Sequence, residues 1–79
     1  MNNPIIDLKI QGNSSRLLVY EVLNAVSRRK GNRVRQVDFD YQEHTQRGII
    51  KVELHEPEQV LIRRILAVSG VSKVFPITA

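Results

Sequence analysis

His44 and His55 are the only side chains in this sequence that titrate near neutral pH without help. They are not spaced as metal ligands: no HxxxH or HExxH pattern occurs, and no cysteine is present to join them. One falls in a predicted hairpin loop and the other at a strand end, where both read as exposed side chains. Asp38, Asp40 and Glu43 could gather a cation. Arg33, Arg35, Arg47 and Lys51 are close by in sequence or across that hairpin, however, and ion pairs on a wet sheet face explain the acids. A general acid and base also need an enclosing pocket, and no stretch predicts one. Ser14 and Ser15 have no histidine nearby to activate them. No catalysis is expected, and no cofactor.

Two stretches fit binding better. Arg28, Arg29, Lys30, Arg33 and Arg35 hold five of the twelve cations and could contact phosphates in RNA or DNA. Equally, they could close a helix and keep an edge strand solvated. Base stacking on a sheet needs exposed aromatics on the central strands. The first and third predicted strands have none, and outside the first helix only Phe39, Tyr41 and Phe75 are available. Nucleic acid is therefore one alternative reading, and a purely structural dimerisation domain without a ligand is the other. The better candidate is the loop Gln11, Gly12, Asn13, Ser14, Ser15 and Arg16, at the first strand-to-helix junction. Backbone N–H groups at a helix start favour anions, glycine lets a ligand approach the chain, and Ser14 can cap the helix.

The elements that position these residues follow from periodicity. Ile6, Leu8 and Ile10 alternate with polar residues, predicting a strand over 5–11 with one buried face. Leu18, Val22, Ala25 and Val26 recur at helical spacing within 15–30, and Gly31-Asn32 stops that helix. Val37, Phe39 and Tyr41 mark a second strand, 44–48 a loop, and Ile50, Val52 and Leu54 a third strand over 49–55. Pro57 starts a second helix over 57–68, with Leu61, Ile62, Ile65 and Leu66 inward and Arg63 and Arg64 outward. Gly70 ends it. A closing strand over 71–77 contains Pro76, which suits a sheet edge. The order β-α-β-β-α-β predicts an α+β, ferredoxin-like fold: a four-stranded antiparallel sheet with both helices on one face. Ile49 and Val74, with Val34, are expected on the uncovered face, hinting at cover from another chain.

Seventy-nine residues make one domain, with its core over 5–77. The 42% apolar and 25% charged content is that of an ordinary globular chain. No apolar run reaches the ~20 residues of a membrane helix and no signal pattern opens the chain, so a cytoplasmic setting without membrane insertion is expected. The net charge of +4 permits an acidic partner without requiring one.

Three stretches resemble the ACT regulatory domains: IDLKIQGNSSRLL leading into VYEVLNAVSRRKGN, the hairpin VRQVDFDYQEHTQRGIIKVEL, and EQVLIRRILAVSGVSKVFPI. The last is similar to the family's ending, a helix closing on Gly-Val before a final valine-bearing strand. The likeness covers 5–77. It implies a noncatalytic module that forms a homodimer or higher oligomer. Such a module binds an amino acid or similar effector at the first strand-to-helix loop, here Gln11 to Arg16, and controls a catalytic subunit or host enzyme. The chain is similar to the small regulatory subunits of acetolactate synthase and to the terminal module of stringent-response synthetases. It departs from the family in its glycine: Gly12 stands several positions before the helical leucines, not directly ahead of them.

Overall fold

The computed structural model describes residues 3–42 and 44–77. The elements are β1 (Ile5–Asn13), α1 (Leu18–Ser27), β2 (Arg33–Gln42), β3 (Thr45–Glu53), α2 (Glu58–Leu66) and β4 (Val71–Ile77). Strand order is β2-β3-β1-β4 with every pair antiparallel, the ferredoxin-like arrangement that the pattern predicts. Strand side chains alternate between faces. Leu8 and Ile10 of β1 and Ile50 and Val52 of β3 therefore meet Val22, Ala25 and Val26 of α1 and Leu61 and Ile65 of α2 in one buried cluster. Each of the leucines, isoleucines and valines contributes about 1.5–3 kcal/mol by leaving water, so the two central strands and two helix stripes supply most of the stabilisation.

Several boundaries move for physical reasons. The first strand runs two residues beyond its predicted end at Gln11, because Gly12 and Asn13 pair with Gln46 and Thr45 of β3. The second begins at Arg33, where a bulge between Val34 and Gln36 turns Val34 towards the helices. The expected loop over 44–48 is mostly strand: Thr45 to Gly48 pair with Gln42 to Phe39. Gly48 is there for packing, since a Cβ would overlap the Asp38 carbonyl and meet Phe39 Cδ1 at 2.6 Å. Helix α1 is shorter than predicted at both ends, so the cations Arg28, Arg29 and Lys30 follow its last turn and do not form it. Helix α2 likewise spans less than 57–68, with Pro57 as its N-cap residue.

The open sheet face also differs from expectation. Ile49 lies on it, but Val34 and Val74 pack against the core. Phe75 and Ile77 of β4 take their place on the open side, opposite Lys9 and Asp7 of β1. Pro76 sits on the edge strand, as its missing N–H demands.

Arg64, expected in solvent, is turned inward. It pairs with Glu56, whose side chain is only 4% exposed, and donates to the Ala25 carbonyl at 2.9 Å. Asn32 adds a third member, donating to Glu56 and to the Val26 carbonyl while accepting the His55 N–H. Burial alone would raise the Glu56 pKa. Hydrogen bonds from Arg64 and Asn32, with the charges of Arg64 and Arg29, outweigh it and hold the carboxyl below its ordinary value. This network ties the end of α1 to the start of α2.

Candidate functional site

The end of β1 sits between two neighbours. Gln11 is opposite Arg47 of β3 on one side and Lys73 of β4 on the other; Asn13 is opposite Thr45. Between Gln11 and Gly12 the β4 register shifts, leaving Ser72 as a bulged residue whose hydroxyl donates to the Gln11 carbonyl at 3.1 Å. Bulges of this kind re-aim side chains beside functional sites. The result is a shallow groove of about 280 Å³ lined by Gln11, Gly12, Asn13, Thr45, Gln46, Arg47, Ser72 and Lys73. Two cations stand among amides and hydroxyls, and no carboxylate lines it. That composition suits a small anionic group.

The predicted loop is therefore divided. Gln11, Gly12 and Asn13 line the groove; Ser14, Ser15 and Arg16 do not. The Ser14 hydroxyl accepts the Arg16 N–H at 3.0 Å in a local turn and does not cap the helix. Arg16 pairs with Glu21 at 3.3 Å while remaining 73% exposed. Leu17 is the N-cap residue of α1 and makes no side-chain cap. The cap comes from β3: Gln46, 2% exposed, accepts the Leu18 N–H at 2.8 Å. Its amide group also donates to the Ser14 and Arg16 carbonyls. The Asn13 and Ser14 N–H groups are engaged by the Gly70 and His44 carbonyls. Most of the expected backbone socket is thus filled from within, and the groove's positive charge comes from Arg47 and Lys73.

Gly12 also has a packing role. A Cβ there would overlap the Gly70 carbonyl, lie 2.8 Å from Leu18 Cδ1 and 3.0 Å from the Val71 Cα. The glycine lets the end of β1 close against the turn before β4. Arg47, Lys73, Gln46 and Ser72 were absent from the sequence-based site. One signal was available for Gln46: counting by two from Ile50 through Gly48 puts it on the buried face.

The basic run is partly engaged within the chain. Arg28 lines a separate groove with Glu21, Asn24, Val68 and Ser69. Arg29 donates to the His55 carbonyl at 3.3 Å, and Arg35 pairs with Glu53 at 3.8 Å; Lys30 and Arg33 are exposed. Phe39 and Tyr41 turn to the helix side, opposite Gly48 and Gln46, which leaves Phe75 on an edge strand as the aromatic of the open face. Both histidines are exposed, Glu43 lies outside the described residues, and among those described no cluster of three His, Cys, Asp or Glu could hold a metal. No described helix is long and apolar enough to cross a membrane.

No family model matches the chain, and no curated protein matches its sequence. Solved structures do. The crystal structure of the ACT domain from GTP pyrophosphokinase of Chlorobium tepidum is similar at TM-score 0.80 and 12% identity, over 95% of this chain and 99% of that one. The solution NMR structure of that domain gives 0.76 and 12%, over 100% and 91%. The chain has the ACT-type fold.

Proposed function

We propose that this chain is a noncatalytic regulatory module that works as a homodimer, binds a small carboxylate-bearing effector such as an amino acid, and controls a larger catalytic protein. The groove at the end of β1 carries the reading: Arg47 and Lys73 flank Gln11 where the fold brings three strands together. Arg47 takes the carboxylate, with Lys73 as second cation; the side-chain oxygens of Gln11 and Asn13 accept from the amine. The structural similarity to a module of GTP pyrophosphokinase supports the regulatory role, because that domain belongs to a larger enzyme. Control follows by linkage: an effector that binds one assembly state better shifts the population towards it. Titration calorimetry with individual amino acids tests this. Saturable binding by wild type that R47A weakens supports the reading; no binding by any of them overturns it. The RNA alternative is disfavoured by the non-aromatic central strands.

A further inference from the structure

The two edges of the sheet are unlike. On β4, Pro76 removes an N–H and Lys73 adds a charge, and both discourage a further strand. On β2, Arg33, Arg35 and the bulge beside Val34 guard the start in the same way. The rest of β2, residues 36–42, has no such guard. It pairs in unbroken register with β3 and contains no proline, glycine, lysine or arginine. No other described segment hydrogen-bonds to its backbone.

The two sides of this stretch differ in kind. Val37, Phe39 and Tyr41 turn to the helix side, where Val37 and Tyr41 remain about two-fifths exposed. The Phe39 and Tyr41 rings are 6.4 Å apart. Burial and, after it, the Tyr20 phenol of α1 raise the Tyr41 pKa above its ordinary value, which places the two phenols near each other. Three of the chain's four aromatics thus gather at one edge, and Phe75 is left alone on the other. The open side presents Asp38 and Asp40. Cross-strand ion pairing would occupy them, yet the pairs among the described residues are Arg16–Glu21, Arg35–Glu53 and Arg64–Glu56. In a chain of net charge +4, this stretch holds two acids and no base.

We propose that residues 36–42 are a docking edge for an extended segment of the larger protein that the module controls, with basic and apolar side chains alternating along it. The proposal rests on that control in the functional reading and assigns the surface through which it is exerted. Added as a fifth strand, the segment sets its bases beside Asp38 and Asp40 and its apolar side chains beside Val37, Phe39 and Tyr41. Main-chain hydrogen bonds hold it, and the alternation selects it.

A second copy of this chain is the poorer occupant. Residues 36–42 paired with themselves about Phe39, the register of full overlap, set Asp38 on Asp40 twice. Centring on Asp38 or on Asp40 sets an acid on itself, and like charges directly opposite are destabilising. A register offset by one residue instead joins the apolar side of one strand to the acidic side of the other.

The probe is a seven-residue peptide of alternating lysine and valine, blocked at both ends and labelled for fluorescence anisotropy, with no amino acid added. Wild type should bind it saturably at physiological ionic strength, and hydrogen exchange should show new protection at alternate amides of 36–42. N-methylating alternate peptide nitrogens, or gathering the lysines into one block, should weaken binding about tenfold or more. Asp38→Lys combined with Asp40→Lys should weaken it about as much and create binding for an alternating glutamate–valine peptide. The peptide controls need no variant, so the test stands even if that one fails to fold. No binding, equal binding of the N-methylated or block peptide, or protection elsewhere would overturn the proposal. So would protection of 36–42 without peptide that fades on dilution, which gives the edge to a second copy. None of these readouts depends on effector binding, which calorimetry judges separately.

Discussion

Gln46 Oε1 accepts the Leu18 backbone N–H at 2.8 Å, so the first helix takes its cap from a strand 28 residues further along. The same side chain grips the Ser14 and Arg16 carbonyls, making one buried amide the organiser of the loop beside the groove. Q46A leaves a buried donor and acceptors unsatisfied and should cost about 2–3 kcal/mol in urea unfolding. Q46E keeps the acceptor for Leu18 but turns a carboxylate on two carbonyls. It should be the worse variant at neutral pH and recover part of the loss in acid, where the protonated carboxyl can donate again. Equal stability of wild type and both variants would show that the cap is not needed.

Gly12 should tolerate no side chain. G12V drives a branched group into the Gly70 carbonyl and Leu18, and should destabilise by about 3 kcal/mol or prevent folding. Thermal unfolding checks this. Asn13, exposed on the same groove, is the cleaner probe: N13A should unfold like wild type and bind an amino acid more weakly.

Acid should release the contact between helices. The Glu56 carboxyl is held below its ordinary 4.5 when folded, so its stabilisation is complete above that value and disappears as pH falls through the folded pKa. E56Q breaks a largely buried ion pair and should lose about 3 kcal/mol at neutral pH. The gap between wild type and E56Q should narrow below pH 4.5. A constant gap from neutral pH into strong acid would assign the stabilisation to something other than charge.

Arg47 and Arg16 make opposing forecasts for effector binding. R47A removes a groove cation and should weaken amino-acid binding about tenfold, whereas R16A removes a guanidinium paired with Glu21 outside the groove and should change it little. Calorimetry showing the reverse order would move the site to the start of α1.

Periodicity made the fold legible because most of the core is written locally: Leu8 with Ile10, Ile50 with Val52, and the Leu18-Val22-Val26 stripe each declare an inward face. Three of the groove's eight lining residues were legible for the same reason, since Gln11 to Asn13 adjoin an alternating strand. The other five were not. Lys73 and Arg47 reach Gln11 only through register, and register here includes a bulge at Ser72 that no period-2 count contains. Arg64 misled for a related reason. Beside Arg63 it reads as a solvated cation, and only the fold shows that Glu56 and Ala25 wait inside for it. Ser14 had the right chemistry for a cap in the wrong place; the helix begins later, and a distant amide does the work.

The seam between Gly12 and Gly70 joins the first strand to the turn that launches the last one, sealed by the Asn13 N–H on the Gly70 carbonyl at 2.9 Å. The wall of the groove made by Ser72 and Lys73 cannot be finished before the segment after α2 has been laid down. A chain clipped after α2 carries every residue of the first loop and yet holds only one side of the groove.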